Sequence, residues 1–266
     1  MNMNSAKHGI PDSLLTRLKA ARSVVFFTGA GASSESGIPT FRDTLTGLWG
    51  KFDAESLATP EAFLRDPALV WGWYEWRRKQ VSLAQPNAGH RAMSMLEALI
   101  PQVTVITQNV DDLHERAGSQ RVIHLHGSLF ESRCFHCGEP HEHSAGAADE
   151  SADGRPIKPP ACINCRGPVR PGVVWFHENL PETAWNEAQD ASREADLFFV
   201  VGTSGLVWPA AELPHVAHLA GGLVVRVNPD LNGPEDFSTI DLVGKAGEIL
   251  PAMIDRLDHT SQSSNG

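Results

Sequence analysis

Residues 23–37, SVVFFTGAGASSESG, largely decide the fold that the sequence predicts. An apolar run of strand length leads directly into Gly29 and Gly31, and a serine-rich turn follows them. Glycines at this position let backbone N–H groups approach a phosphate closely, although tight turns also need glycine for steric reasons alone. The dehydrogenase fingerprint needs a third glycine where Ser34 stands, and Pro39 interrupts any long helix that starts here. The stretch therefore favours a nucleotide-binding loop over a standard hydride-transfer unit.

Further apolar runs of strand length follow along the chain. They are QVTVITQN (102–109), RVIHLHG (121–127), DLFFVVGT (196–203) and LVVRVNP (223–229). Segments long enough to contain helices separate these runs, and such alternation predicts an α/β fold with a parallel sheet.

Two long segments interrupt the alternation. Residues 29–101, between the first two runs, are rich in tryptophan and helix formers and exceed what one crossover requires, which predicts an inserted helical module over 40–100. The second insertion is expected over 128–170, where a polar segment rich in Gly, Ala and Pro indicates a loop.

The composition argues against several classes of partner. The formal net charge is −10 and the pI is near 5.6, so the chain lacks the basic surface that binding a phosphate backbone requires, and we expect no nucleic-acid partner. The N-terminus has no basic stretch followed by an apolar one, so we expect no membrane segment. We expect a monomer in a reducing, cytoplasmic setting.

Polar residues follow the second strand-like run. Gln108, Asn109 and Asp111 stand where a strand ends, which is the edge at which open α/β sheets bind their ligands. These side chains are suited to hydrogen-bond a sugar or an amide. An Asx turn that caps a helix beginning near Asp112 explains them equally well, and their spacing leaves both interpretations open.

Two histidines follow in HLHGS, and both lie on one face if the strand is regular. A histidine at a strand end is usually structural, but an imidazole is also the natural general base at neutral pH. Spacing does not choose between His124 and His126, although His126 lies nearer the carboxyl end of the strand.

All four cysteines fall in two CxxC pairs, Cys134/Cys137 and Cys162/Cys165. Four thiolates suit a tetrahedral zinc ion with no open coordination position, so we expect one structural Zn²⁺ per chain with no role in chemistry. Three nearby histidines offer competing ligands but are interpreted as solvated loop residues. They are His136, His141 and His143.

The segment WGWYEWRRKQ, residues 71–80, holds the only tyrosine of the chain. If residues 68–80 are helical, Tyr74 and Arg77 project from the same face, because they are three residues apart. For an arbitrary helix, the simpler interpretation is that Tyr74 packs with Trp71 while Arg77 and Arg78 are solvated.

The order of motifs along residues 24–250 resembles that of the sirtuins, which are NAD-dependent protein lysine deacylases. The motifs are GAGASSESGIPTFRD, TQNVDDLH, HGS, the paired CxxC, VVWFHENLP, VGTSGLVWPAAELP and VNPD. The resemblance implies a single catalytic domain over residues 1–266, with a Rossmann-like NAD-binding part, a small zinc-bearing part and a cleft between them.

The resemblance also implies the residues that bind NAD, here a consumed co-substrate. Gly29, Ala30 and Gly31 would contact it, with Phe41 and Arg42 closing over it. The ribose and nicotinamide pocket would use Gln108, Asn109 and Asp111, which favours ligand binding over the capping interpretation. The remaining contacts would come from Gly202, Thr203, Ser204, Asn228, Pro229, Asp230 and Ala246.

By the same resemblance, His126 is the catalytic base, because it directly precedes Gly-Ser, and His124 is structural. The acyl oxygen of a modified lysine would attack the ribose as nicotinamide leaves, and His126 would then activate a ribose hydroxyl. The acetyl, succinyl or malonyl group would pass from a protein lysine to ADP-ribose.

The resemblance places substrate in two further regions. Val174, Trp175 and Phe176, together with residues 205–208, would sandwich an extended acyl-lysine peptide. Tyr74 and Arg77 match the class III sirtuins, which remove negatively charged acyl groups. His177 departs from the family pattern, which has glycine between Phe and Glu.

Two alternatives remain beside the deacylase. A protein mono-ADP-ribosyltransferase would share the NAD pocket and differ in the acceptor. A non-catalytic module that binds zinc and NAD is disfavoured by the intact His126, Asn109 and FRD sequence.

Overall fold

The computed structural model describes residues 9–39, 54–142, 155–230 and 239–262. Phe41 and Arg42, predicted to close over NAD, lie outside these ranges, as does His143. Within the described part of the chain, none of the helices combines the length and apolar character needed to cross a bilayer.

Six parallel strands form the main sheet, which confirms the predicted α/β class. In chain order they are β1 (Ser23–Thr28), β2 (Gln102–Thr107), β3 (Val122–His124), β6 (Leu197–Val201), β7 (Leu223–Asn228) and β8 (Thr239–Val243). Their order across the sheet is β3-β2-β1-β6-β7-β8. Because all pairs are parallel, the carboxyl ends of the strands meet at one edge.

The helices lie between and around these strands. They are α1 (Asp12–Ala20), α2 (Ala30–Ser34), α3 (Ala54–Leu57), α4 (Pro60–Arg65), α5 (Pro67–Leu83), α6 (Ala88–Met95), α7 (Leu113–Arg116), α8 (Glu182–Arg193), α9 (Leu213–Leu219) and α10 (Ala246–Gln262), with short 3₁₀ turns at Leu96–Ala98 and Ala210–Glu212.

The central strand β1 is buried on both faces, which explains its unbroken apolar sequence. Val24 and Phe26 pack in the core on one face, while Val25 and Phe27 pack in the core on the other. The rings of Phe26 and Phe199 stack with centroids 5.0 Å apart. Two hydrophobic cores therefore cover the two faces of the sheet and fix the strand ends that carry the site.

A third core lies apart from the sheet. It joins α4 and α5 to a two-stranded antiparallel sheet made of β4 (Gly127–Cys134) and β5 (Val169–Val173). The N–H of Ile157 donates to the carbonyl of Ala68 at 2.9 Å, and a Cβ atom added at Gly72 would lie 2.2 Å from the carbonyl oxygen of Arg155. The α5 helix and the cysteine-bearing segment therefore pack as one small unit.

Local signals explain where α5 begins. Asp66 accepts a hydrogen bond from the N–H of Leu69 at 3.0 Å, and Pro67 occupies the first helical position.

In contrast to α5, α6 contributes Ala92 and Met93 to the core of the large sheet. The module boundaries at 40–100 and 128–170 stay predictions.

Candidate active site

The glycine turn after β1 packs directly against the residue that follows β6. A Cβ atom added at Gly31 would lie 2.7 Å from the carbonyl oxygen of Gly202, and one added at Gly202 would lie 2.3 Å from the amide nitrogen of Ala32. The N–H of Gly29 donates to Val201 at 3.0 Å, and that of Gly31 donates to Gly202 at 2.8 Å. Gly31 and Gly202 are therefore required for steric reasons, and the contact of the glycine turn with a phosphate stays a prediction.

Asn109 and Asp111 form a buried polar cluster with Ser33. The side-chain amide of Asn109 donates to the carbonyl of Gly29 at 3.1 Å and to Ser33 Oγ at 3.0 Å. Ser33 Oγ donates to Asp111 at 2.9 Å, and the other carboxylate oxygen accepts from the N–H of Leu113 at 3.1 Å. Burial raises the pKa of Asp111, against these two hydrogen bonds. Asp111 thus forms an Asx turn with Leu113 at the start of α7, and Ser33 links it to Asn109 beside the glycine turn.

Thr203 joins the ends of three strands. Gln108, after β2, donates its side-chain amide to Thr203 Oγ1 at 2.9 Å. Asn228, at the end of β7, donates to the carbonyl of Thr203 at 3.2 Å. These contacts bring together residues predicted to bind opposite parts of the nucleotide. The remaining residues predicted to bind NAD in this region follow the same strands or begin α10. They are Ser204, Pro229, Asp230 and Ala246.

The protonation of His126 follows from its contact. Its Nδ1 atom lies 2.9 Å from the carbonyl oxygen of Gln108. A carbonyl only accepts, so Nδ1 carries the proton and Nε2 of the neutral ring keeps its lone pair. Burial lowers the pKa of His126 and outweighs the Gln108 contact, which raises it. At neutral pH the side chain is therefore arranged to accept a proton at Nε2.

His124 has different surroundings. Its Nε2 atom lies 2.6 Å from a carboxylate oxygen of Glu115, and its Nδ1 atom lies 3.2 Å from the carbonyl oxygen of Asn109. Burial lowers the pKa of His124, but the hydrogen bond and charge of Glu115, with smaller contributions from Asn109 and Asp111, leave it raised. Both ring nitrogens are engaged within the protein, which supports a structural role.

Tyr74 and Arg77 both project from α5, as predicted for a helix in this segment. Tyr74 is 2% exposed, and its hydroxyl oxygen accepts a hydrogen bond from Trp175 Nε1 at 3.0 Å. The guanidinium carbon of Arg77 lies 5.1 Å from the ring centroid of Trp73. Burial lowers the pKa of Arg77, while electrostatic interactions with Tyr74 and Asp111 raise it. Arg77 therefore lies within electrostatic range of both the tyrosine and the Asp111 cluster.

Arg78 is buried, unlike the solvated side chain that the simpler sequence interpretation assumed. It forms an ion pair with Glu75 and donates to the carbonyl of Leu129 on β4. The guanidinium carbon also lies 4.9 Å from the ring centroid of Trp71. Arg78 thus fastens α5 to the small sheet, while Arg77 lies within electrostatic range of both Tyr74 and Asp111.

The turn after β5 places His177 in a backbone conformation that favours glycine. The N–H of Glu178 donates to the carbonyl of Trp175 at 3.1 Å, and His177 has φ of 70°. Type II turns require a positive φ at this third position. Glu178 fixes the turn, because its carboxylate accepts from the N–H of Trp175 at 2.8 Å and pairs with Arg170. His177 is therefore exposed and strained in a turn that its neighbours hold in place.

Replacing His177 with glycine is expected to raise the free energy of unfolding by about 0.5–1 kcal/mol. Relief of the left-handed conformation contributes about 1–2 kcal/mol, and the greater freedom of glycine in the unfolded chain costs about 0.5–1 kcal/mol. Urea unfolding measures the difference. His177→Ala keeps the strain and removes the imidazole, so it should give no gain. A His177→Ala variant as stable as the glycine variant would show that strain is not the cause.

The four cysteine sulfur atoms converge at one point of the small unit. The Sγ atoms of Cys134 and Cys165 lie 3.4 Å apart, those of Cys137 and Cys162 lie 3.7 Å apart, and all four lie within 4.8 Å of one another. Zn–S bonds of about 2.3 Å in a tetrahedron space the sulfurs by about 3.8 Å. The donor set therefore fits one Zn²⁺ ion.

The backbone around these sulfurs also suits thiolate ligands. The N–H groups of His136 and Cys137 point at Cys134 Sγ, at 3.3 and 3.5 Å. Among the residues that the structure describes, the group contains cysteines alone, so neither His136 nor His141 belongs to it.

The sequence did not single out the buried histidines beneath the site. His114 Nε2 lies 3.0 Å from Thr28 Oγ1, which in turn lies 2.9 Å from Thr107 Oγ1. The rings of His114 and His90 have centroids 4.8 Å apart. Burial lowers the pKa of both, that of His90 to about 4, so both are neutral. They support the ends of β1 and β2, and their positions in the sequence carried no signal of this contact.

The family model SIR2, described as the Sir2 family, matches residues 29–209. An NAD-dependent protein deacylase of Methylococcus capsulatus is 53% identical over 246 residues, which cover 92% of this chain and 96% of the relative. NAD-dependent protein deacylase 1 of Pseudomonas aeruginosa is 54% identical over 239 residues, which cover 90% of this chain and 96% of the relative.

Solved structures agree with this likeness. The crystal structure of a Sir2 homolog–NAD complex has a TM-score of 0.83 and 42% identity, and the match covers 94% of this chain and 95% of that one. A complex of Sir2 with a p53 peptide and NAD+ has a TM-score of 0.78 and 33% identity, covering 92% and 97%. Together with the sequence relatives, these matches show that the chain belongs to the Sir2 family, the sirtuins.

Proposed function

We propose that this chain is an NAD-dependent protein lysine deacylase that prefers negatively charged acyl groups such as succinyl and malonyl. The relatives named as deacylases and the Sir2 complex with NAD support the activity. The observation that carries the acyl preference is the placement of Tyr74 and Arg77 on α5, with Arg77 in electrostatic range of both Tyr74 and Asp111.

NAD, when bound, supplies an ADP-ribose acceptor for the acyl group, with nicotinamide as the leaving group. NAD would lie beside the glycine turn, on the strand ends that Thr203 joins. Asn109 would face the nicotinamide ribose, because its amide is fixed at the turn by Gly29 and Ser33. Phe41 and Arg42 are proposed to cover the nucleotide from the segment that the structure does not describe.

His126 is proposed to hold the proton that the acyl transfer releases. Its Nδ1–H is committed to the Gln108 carbonyl, so the free lone pair at Nε2 is available to a ribose hydroxyl. The lowered pKa keeps the ring neutral at pH 7, as a general base requires.

Arg77 is proposed to bind the distal carboxylate of a succinyl or malonyl group, with the Tyr74 hydroxyl donating a second hydrogen bond. An acetyl group has no carboxylate, so it would leave both side chains without this partner. A hydrogen bond to a charged group contributes about 1.5–3 kcal/mol, which corresponds to roughly ten- to hundredfold discrimination in kcat/KM.

The acyl-lysine peptide is proposed to lie as an extended strand between two segments. One holds Val174, Trp175 and Phe176, and the other runs over residues 205–208, where Leu206 and Trp208 are exposed. Main-chain pairing of this kind gives affinity with little sequence preference.

Replacing Arg77 with methionine is expected to lower kcat/KM on succinyl- and malonyl-lysine peptides by about ten- to hundredfold. Deacetylation should change far less, because the acetyl group makes no ionic contact with Arg77. Mass spectrometry of matched acetyl and succinyl peptides with NAD measures both rates. It also distinguishes loss of the acyl group from ADP-ribosylation of the peptide, the product of the alternative transferase.

Lys79→Met is the matched control, since it removes one positive charge from the same helix two residues away. It should leave the succinyl/acetyl ratio unchanged. Equal efficiency of the wild-type enzyme on both peptides, or an equal loss of both activities in Arg77→Met, would exclude the acyl preference.

A further inference from the structure

Trp175 determines the direction in which the Tyr74 hydroxyl can donate. The indole N–H is a donor only, so in the 3.0 Å contact the phenol oxygen must be the acceptor. The hydroxyl proton of Tyr74 therefore points away from the indole. Both side chains are 2% exposed, so water has little access to this contact.

The hydroxyl proton of Tyr74 is not used elsewhere in the described part of the chain. The contact with Trp175 is the one polar contact of the phenol among these residues. Burial raises the pKa of Tyr74 to about 12, so the proton stays on the oxygen at neutral pH. A buried donor without an acceptor is costly, and a ligand oxygen beside Tyr74 would remove that cost.

Trp175 is itself held from the side of β5. The guanidinium carbon of Arg170 lies 3.4 Å from the ring centroid of Trp175. Glu178 accepts from the backbone N–H of Trp175 at 2.8 Å and from an Arg170 N–H at 2.9 Å. The indole therefore has a fixed position beside the Tyr74 hydroxyl.

We infer that Trp175 is a positioning residue for acyl selectivity: its indole N–H occupies the Tyr74 oxygen and so directs the hydroxyl proton toward a carboxylate-bearing acyl group bound at Arg77. The inference rests on the proposed function and adds a residue that acts through Tyr74. Without the indole N–H, the phenol oxygen can accept from another donor, and its proton loses its fixed direction.

The test is a double-mutant cycle on the ratio of kcat/KM for succinyl and acetyl peptides. Trp175→Phe should lower the ratio by about two- to tenfold, the value of one neutral hydrogen bond. Tyr74→Phe should lower it at least as much. In the Tyr74→Phe background, Trp175→Phe should change the ratio no further, because the hydroxyl it directs is gone. Additive effects, or an unchanged ratio in Trp175→Phe, would overturn the inference.

A second variant separates the lost N–H from the lost ring volume. Incorporation of β-(3-benzothienyl)alanine at position 175 keeps the bicyclic shape and replaces the N–H with sulfur. It should lower the ratio as Trp175→Phe does, and a wild-type ratio would overturn the inference even if Trp175→Phe fails to fold. If the wild-type enzyme discriminates and Arg77→Met abolishes the discrimination, the proposed function stands whatever the Trp175 variants do. If the wild-type enzyme does not discriminate, the proposed acyl preference fails first.

Discussion

Replacing His126 with alanine is expected to lower deacylase turnover by about 10²- to 10⁴-fold, the usual contribution of a general base. The variant should keep the fold and bind NAD, because the one hydrogen bond that the ring makes in the described part of the chain is with the Gln108 carbonyl. That carbonyl lies at a polar edge of the sheet, where water can replace the lost donor. Single-turnover assays on acyl peptides, with NAD affinity measured by calorimetry, separate the two effects.

His124→Ala is the matched control, because it removes an imidazole two residues away that is engaged by Glu115 and the Asn109 carbonyl. We expect it to lose far less turnover.

The pH profile of the wild-type enzyme gives a second readout of the role of His126. A base must be unprotonated to act, and burial lowers the pKa of His126, so the midpoint of the acid-side fall in kcat/KM should lie below pH 6.5. Retained deacylation in His126→Ala would remove this residue from the role.

The sequence predicted the central strands because their burial leaves a simple pattern. β1 and β6 are covered on both faces, so their apolar residues run without interruption, and in β2 the buried Thr104 alone separates Val103 from Val105. The edge strand β8 was not predicted. Leu242 is buried while its neighbours Asp241 and Val243 are exposed, so one covered face leaves too few apolar residues for a recognisable run.

The small sheet was also missed, for a different reason. β5 contains Pro171 and Gly172, residues that argue against a strand when only the sequence is considered. Arg170, in the same strand, is buried because Glu178 pairs with it and the ring of Trp175 lies under it. A partner eight residues away in sequence gives no local signal, so the position of this arginine depends on tertiary contacts.

The sequence predicted the positions of those site residues whose chemistry requires particular residue types at strand ends. Gln108, Asn109 and Asp111 were placed at the carboxyl edge by their position after β2, and that is where they lie. The sequence did not reveal which of their atoms the protein itself uses. Asp111 accepts from the N–H of Leu113 at the start of α7 and from Ser33 Oγ, so the Asx turn is present in the structure, and binding of a sugar or an amide stays a prediction.

Replacing Cys162 with serine is expected to abolish stoichiometric zinc binding and to unfold the small unit selectively. Structural zinc contributes about 10–16 kcal/mol of apparent binding free energy in zinc-finger peptides, comparable with the whole stability of a domain, about 5–15 kcal/mol. Three thiolates and a hydroxyl hold zinc much less tightly, since the ion prefers sulfur and the alcohol stays protonated at neutral pH. Metal analysis of the purified variant, together with amide hydrogen exchange, measures both consequences.

The loss of amide protection should be confined to the small unit, because that unit has a hydrophobic core of its own. β4 and β5 pack in the core around Leu129, Val173 and Trp175, while β1 and β2 are covered by the two cores of the large sheet. Amides in β4 and β5 should therefore exchange rapidly in Cys162→Ser, and those in β1 and β2 should stay protected. His136→Ala is the control, because this histidine lies outside the sulfur cluster and its replacement should leave one zinc per chain. Full zinc content with wild-type protection in Cys162→Ser would exclude the four-cysteine site. An equal loss of protection in β1 would instead show that the ion stabilises both units together, because contacts between β4 and the loop after β2, such as the hydrogen bond from the Leu129 N–H to the Val110 carbonyl at 2.8 Å, then couple them into one cooperative structure.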